Sequence, residues 1–220
     1  MIQQSGNSFK KGVAVSHWDG DISWKDVANA GAGFAFAKST EGETFQDEKF
    51  VYNFSNIKEN NIEAGAFHVF RMTSTPKKQH DNIINVLKKA KFDIKRDKLF
   101  ISATIGLCDA EHKTECDDPT KHTNKERADN LDSLLTMLKN EDYNVIIHTS
   151  PKPWDQYYAS TAHDFSKYPL FVAHWHVLKP MIPQDWQKAG KSYDYWNYTD
   201  KGTISGIQKH GTVCLCETHR

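Results

Sequence analysis

The chain has 220 residues, of which 38% are hydrophobic and 25% charged, and its 28 basic and 28 acidic residues cancel. This length and charge balance are typical of one globular domain with a sizeable core, and they exclude a strong field that would draw the protein to nucleic acid. No apolar run approaches the roughly 18 residues of a transmembrane helix, and the first residues carry no apolar signal-peptide core. We therefore expect neither a membrane span nor a signal peptide within this chain.

Strand-like and helix-like runs alternate along the sequence. Strands are predicted at 13–16, 33–39, 64–70, 98–105, 144–149, 170–174, 193–198 and 213–216. Apolar residues at helical spacing predict helices between most of them. The helical segments are 23–30, 50–57, the run that Thr75 and Pro76 begin, and the run that a Thr123–Glu126 capping box begins. Strands separated by helices imply a parallel sheet, and this many predict a closed β/α barrel in a single domain.

The ends of these strands carry the candidate binding residues. In a β/α barrel the chemistry lies at the carboxyl ends of the strands, where the connecting loops converge. The ligand-groove candidates at those ends are His17, Trp18, Glu41, His68, Phe70, Arg71, His148, His174 and Trp196. Several histidines on one rim are typical of a metal site, but hydrogen-bonded cleft histidines explain them as well. We therefore expect no metal and no other cofactor.

Six segments, in order along the chain, resemble the motifs of glycoside hydrolase family 25, the muramidase-type lysozymes. They are GVAVSHWDGDISW (12–24), FAFAKSTEG (34–42), GAFHVFR (65–71), VIIHTS (145–150), YPLFVAHW (168–175) and YWNYTDKGTISGI (195–207). The resemblance implies a modified TIM-like (β/α) barrel of the family 25 lysozyme type, whose last strands lack full helical partners. It places this domain at residues 12–220, with residues 1–11 as an N-terminal extension.

The family's catalytic carboxylates fall on Ala14, Thr104, Gly106 and Cys214 in this chain. A glycosidase normally needs two carboxyl groups beside the bond that it cleaves. The resemblance therefore implies a catalytically degenerate member that has lost muramidase activity, and we expect the chain not to be an enzyme. Its groove would instead bind a glycan, such as peptidoglycan or a chitin-like chain, or a protein partner.

Two other functions stay open from the sequence. One is a glycoside hydrolase with relocated catalytic acids, for which Glu41 and Asp109 are the first candidates and Asp19 and Asp21 two more. The other is a secreted effector or toxin that acts through protein–protein contacts. We expect a secreted, extracellular protein that is a monomer.

Four cysteines fall late in the chain: Cys108, Cys116, Cys214 and Cys216. Two disulfides in a secreted protein and free thiols in a cytosolic one both fit this pattern. Cys214 occupies a family Asp position, and Cys108 follows a family Glu position by two residues. We therefore predict a Cys108–Cys214 bridge across the family's active site.

Overall fold

Eight strands of one sheet close into a barrel in the computed structural model, which describes residues 9–105, 118, 120–159, 161–208 and 213–218. The strands are β1 (Lys11–Val15), β2 (Phe34–Glu41), β3 (Phe45–Gln46), β4 (Glu63–Val69), β5 (Lys98–Ser102), β6 (Val145–Thr149), β7 (Leu170–Ala173), β8 (Tyr195–Gly202) and β9 (Val213–Thr218). The order around the barrel is β1-β9-β8-β7-β6-β5-β4-β2, and a β1–β2 pairing closes it, while β3 only extends β2. The predicted barrel is confirmed.

The helices lie outside the barrel and connect its strands. They are α1 (Trp24–Asn29), α2 (Phe50–Glu59), α3 (Pro76–Lys89), α4 (Asn124–Asn140), α5 (Pro151–Tyr157) and α6 (Gln184–Lys188). The Thr75 side chain caps α3, and the predicted Thr123–Glu126 capping box begins α4. The short α5 and α6, which the sequence did not predict, agree with the expectation that the last strands lack full helical partners. Over the described ranges, no helix is long and apolar enough to cross a membrane.

The last strand runs against its neighbours. β9 is antiparallel to both β8 and β1, whereas the pairs between the other barrel strands are parallel. A parallel return to the sheet needs a crossover of about a dozen residues or more, usually a helix, and the stretch between β8 and β9 is too short for one. The closing strand therefore folds back as a long hairpin on β8.

Aromatic rings fill the inside of the barrel. Phe34, Phe36, Phe100, Phe171 and Tyr195 pack there as one cluster, separate from the larger core between the sheet and the helices. Two glycines make room for these rings. A Cβ atom on Gly12 would lie 2.5 Å from the ring of Phe34, and one on Gly65 would lie 2.3 Å from the ring of Phe36. Large aromatic rings thus fill the interior, and the strands carry glycine where these rings come closest to the backbone.

This packing predicts a large penalty for Gly65→Ala. The added methyl group would displace the buried Phe36 ring, so we expect the free energy of unfolding to fall by about 1–3 kcal/mol. Gly33→Ala is the matched control, because its Cβ would meet only Lys10 at 3.4 Å, and it should change stability by less than about 0.5 kcal/mol. Urea unfolding measures both. Equal losses in the two variants would contradict the proposed clash.

Candidate functional site

A cavity of about 480 Å³ opens at the end of the barrel where the parallel strands finish. Its walls are the last inward-facing residues of the strands and the short 3₁₀ turn at His17–Asp19 that follows β1. The lining residues are Ala14, Val15, Ser16, Trp18, Asp19, Phe67, Phe100, Ser102, His148, Phe171, Asn197 and Cys214. We call this space the mouth cavity. It lies at the end of the barrel that carries the chemistry in β/α-barrel enzymes.

Two of the positions that the resemblance assigns to the family's carboxylates line this cavity. Ala14 and Cys214 are opposite each other in the β1–β9 ladder, and both line the cavity. Thr104 follows β5, with its Oγ1 atom 3.1 Å from Oγ of Ser102. Gly106 lies outside the described residues. At the three described positions, the side chains end in a methyl, a thiol and a hydroxyl group.

Two groups in the floor of the cavity are neutral because they are shielded from water. Burial raises the pKa of the Cys214 thiol, and a hydrogen bond with Asn197, which lowers it, offsets this only in part. The carboxylates of Asp19 and Asp200 raise the pKa further, so the thiol stays protonated near neutral pH. Burial lowers the pKa of His148 to about 4, and its Nδ1 atom lies 3.1 Å from Oγ of Ser102. The floor therefore offers hydrogen bonds rather than charge.

The turn after β1 places an indole and a carboxylate at the rim. Trp18 is 59% exposed although it lines the cavity. Asp19 Oδ2 accepts a hydrogen bond of 2.7 Å from the backbone N–H of Ser16, and the Ser16 hydroxyl in turn accepts from the N–H of Trp18. This reciprocal capping box fixes the turn, so Trp18 and Asp19 are held in place rather than carried on a loose loop.

Glu41 does not line the mouth cavity. It lies in a separate groove of about 360 Å³ that Arg71 also lines. Its carboxylate accepts hydrogen bonds from Lys38 Nζ at 2.5 Å and from Arg71 Nε at 2.8 Å. Burial raises the pKa of Glu41, but the two cations together outweigh burial and hold it below its usual value. Glu41 is therefore ionised near neutral pH and has no proton to give as a general acid.

Three predicted groove residues are buried and do not line the mouth cavity. His68 and Phe70 are 0% and 1% exposed, and Trp196 is 8% exposed. The two ring nitrogens of His68 are occupied by Thr40 Oγ1 at 2.8 Å and Gln79 Oε1 at 3.0 Å. Trp196 and Phe70 pack in the outer core, because on β8 and after β4 they face the helices rather than the barrel axis.

Two further predicted histidines lie near the rim without lining the cavity. Nδ1 of His17 is 2.8 Å from Asp47 Oδ2, and Nδ1 of His174 accepts a hydrogen bond of 3.0 Å from the backbone N–H of Met181. Both rings thus support local loop structure. Among the histidines predicted to lie in the groove, His148 is the one that lines the mouth cavity.

The groove residues predicted from the sequence did not include Ser102 or Asn197, although both line the cavity. The alternation of side chains along a strand could have identified them. Ser102 is two residues before Thr104 and so lies on the same face, and Asn197 follows the outward-facing Trp196 and so faces inward. Asn197 also accepts a hydrogen bond of 2.9 Å from the indole N–H of Trp175, which holds a second, 43% exposed indole beside the cavity.

Neither a metal site nor a disulfide is found where the structure describes the chain. Among the described residues, no group of three or more His, Cys, Asp or Glu side chains is placed to hold a metal ion. Cys214 and Cys216 are free thiols, so the predicted Cys108–Cys214 bridge is not formed. Cys108, Cys116 and Asp109 themselves lie outside the described residues.

The closed barrel and its mouth define a single-domain β/α-barrel protein with its site at the strand ends. The model of the glycosyl hydrolases family 25 matches residues 13–207, and the chain belongs to that family. Lysozyme M1 of Streptomyces globisporus is 27% identical over 210 residues, which cover 94% of this chain and 67% of that protein. The autolytic lysozyme of Clostridium acetobutylicum is 22% identical over 197 residues, or 90% of this chain and 52% of that protein.

Solved structures share the fold. The bacterial lysozyme from Streptomyces coelicolor superposes with a TM-score of 0.81 at 24% identity, covering 97% of this chain and 93% of that one. The modular autolysin LytC from Streptococcus pneumoniae, solved in complex with a synthetic peptidoglycan ligand, has a TM-score of 0.77 at 16% identity and covers 96% of this chain and 47% of that one. This chain thus spans about half of the length of LytC and of the clostridial relative.

The prediction that the chain is not an enzyme is wrong. It belongs to a family of glycosyl hydrolases, and both curated relatives are named lysozymes. The prediction rested on the absence of carboxyl groups at the positions that the resemblance assigns to the family's acids. The structure places another carboxylate, Asp19, in the lining of the same cavity.

The buried His68 predicts a loss of stability at mildly acidic pH. Burial lowers the pKa of His68 from 6.5 to about 4. Between pH 6.5 and pH 4, this histidine is therefore protonated in the unfolded chain but neutral in the folded protein. Within that window the free energy of unfolding should fall as the pH falls, by up to about 1.4 kcal/mol per pH unit from this residue. Urea unfolding at several pH values measures the slope.

His68→Gln should reduce that slope, whereas His122→Gln, at a half-buried histidine on another part of the surface, should leave it unchanged. A slope that is the same in His68→Gln as in the wild type would contradict the assignment.

Proposed function

We propose that this chain is a glycoside hydrolase that cleaves a peptidoglycan-type glycan bound in the mouth cavity. The observation that carries the proposal is the presence in one cavity of an exposed indole, Trp18, a carboxylate, Asp19, and neutral hydrogen-bonding groups. Family membership and the names of the relatives support hydrolysis, and the peptidoglycan ligand of LytC supports this class of substrate.

The composition of the cavity suits an uncharged sugar. Its volume of about 480 Å³ lies within the range of small-molecule sites. The Trp18 ring offers an apolar face for the C–H groups of a pyranose, and Ser102, His148 and Asn197 offer neutral donors and acceptors for hydroxyl and acetamido groups. A strongly charged ligand would find no ionised partner in this floor.

Asp19 supplies a carboxyl group for proton transfer. Cleavage of a glycosidic bond needs general acid–base catalysis at the leaving oxygen and at the attacking water, and a positioned carboxyl group contributes about 10²- to 10⁴-fold to such a step. The other candidates from the sequence fit less well. Asp21 is 96% exposed and bound to Lys49, Glu41 is held between two cations, and Asp109 lies outside the described residues.

Cell-wall glycans lie outside the plasma membrane, so this function agrees with the expected secretion of the protein. A monomeric state and a protein partner stay predictions from the sequence, and hydrolysis of a glycan requires neither.

Asp19→Asn should abolish most of the activity. We expect release of reducing ends from purified peptidoglycan to fall by at least about 100-fold, because the amide cannot exchange a proton with the substrate. Asp21→Asn is the matched control, two residues away and outside the cavity, and it should keep the wild-type rate. A wild-type protein that binds peptidoglycan without releasing reducing ends would contradict hydrolysis. A fully active Asp19→Asn would contradict the role of Asp19.

Trp18→Ala should weaken glycan binding about fivefold, since stacking on an aromatic face contributes about 1 kcal/mol. Tyr52→Ala removes an aromatic side chain of similar exposure, 52%, from α2 and should leave the affinity unchanged. Calorimetry with soluble peptidoglycan fragments measures both dissociation constants. Wild-type affinity in Trp18→Ala would exclude the indole from the binding surface.

A further inference from the structure

A second cavity lies at the opposite end of the barrel, where the parallel strands begin. Its larger part has a volume of about 510 Å³, and residues near the starts of β2, β4 and β5 line it, among them Phe34, Ala64 and Lys98. A smaller part of about 180 Å³ lies beside Val145, the first residue of β6. Lys98 and Tyr195 line both parts, so the two are neighbours. We call the combined space the basal cavity.

The floor of the basal cavity is the lower side of the aromatic cluster that fills the barrel. Phe34, Phe36 and Tyr195 line its larger part. They pack edge to face, with ring centroids between 5.3 and 5.9 Å apart. Ile146, from the same cluster, lines the smaller part. Because aromatic rings pack well against one another in this geometry, the floor suits a flat aromatic ligand.

Lys98 brings a positive charge to this floor. It is two residues before Phe100, which belongs to the interior cluster, so its side chain leaves β5 on the inner face of the barrel. Lys98 is half-buried, and its side chain forms no hydrogen bond or ion pair with the residues that the structure describes. Such an ammonium group has lost part of its hydration without gaining an anion, and an anionic ligand would restore the missing interaction.

The carboxylates that line the basal cavity already have partners. Glu63 is bound by Lys10, Asp97 is bound by Lys58 at 2.8 Å, and Asp194 accepts a hydrogen bond of 3.0 Å from the backbone N–H of Leu170. Lys139, in the lining of the smaller part, is a second lysine that forms no ion pair within the described ranges. Lys98 and Lys139 are therefore available to a negatively charged ligand.

We propose that the basal cavity binds a small aromatic carboxylate. The ring lies against Phe34, Phe36 and Tyr195, and the carboxylate lies at Lys98, where the two parts of the cavity meet. The volume of the larger part is within the range of small-molecule sites. The lining of the mouth cavity contains a carboxylate, Asp19, and neither lysine nor arginine, so that cavity disfavours the same ligand. The proposal does not depend on glycan hydrolysis.

Calorimetry with the full chain tests the basal cavity with two probes of similar shape, naphthoate and the uncharged naphthylmethanol. We expect the wild type to bind naphthoate at least about tenfold more tightly than the alcohol, because a hydrogen bond between two ionised groups is stronger than one to a neutral group. Lys98→Met keeps the apolar stem and removes the charge, so it should abolish that preference. Lys25→Met, at an exposed lysine of α1 that lines neither cavity, is the matched control and should keep it.

A wild type that does not bind naphthoate, or an unchanged preference in Lys98→Met, would overturn the proposal. An affinity for naphthoate that falls in Trp18→Ala would do the same, because it would place the ligand in the mouth cavity. Urea unfolding checks that Lys98→Met is folded. If it is not, Lys139→Met replaces it and should weaken naphthoate binding about twofold to fivefold, since its charge is more exposed. Lys98→Met should release reducing ends from peptidoglycan at the wild-type rate, which separates this site from the proposed function.

Discussion

The antiparallel pairing of β9 with both β8 and β1 is the constraint on which the rest of the structure depends. The other barrel strands run parallel and would otherwise end in two free edges, with unpaired backbone groups on β1 and β8. By filling this gap β9 closes the barrel. It also places Cys214 between Ala14 on one side and the bulged segment of β8 on the other. The wall of the mouth cavity exists only because that strand is there.

The aromatic interior sets the electrostatics of the site. The rings of Phe100 and Phe171 pack edge to face, with their centroids 5.1 Å apart, and both form part of the floor of the mouth cavity. His148 packs against both rings, at 5.0 Å from each. This packing removes water from the imidazole and keeps it neutral. The charged group that lines the cavity is therefore at its rim, where the Asp19 carboxylate keeps contact with solvent.

Much of the fold was predictable because it depends on local patterns. Hydrophobic periodicity, the Thr123–Glu126 capping box and the order of the motifs gave the barrel and its longer helices. The direction of β9 was not predictable, because no residue pattern in a short strand distinguishes a hairpin from a crossover. The burial of His68 was missed because its partner, Gln79, comes from α3, a contact that strand alternation does not reveal.

The site was less predictable than the fold, since side-chain direction depends on register. Tyr195 faces the interior, so strict alternation along β8 would place its even-numbered residues on the outer face. Trp196 does lie in the outer core. The bulge before Thr199 reverses that rule for Asp200. A bulge is a property of two paired strands, so neither β8 nor β9 encodes it alone. The error about enzymatic activity has the same origin, because aligned positions do not locate carboxyl groups that reach the cavity from neighbouring segments.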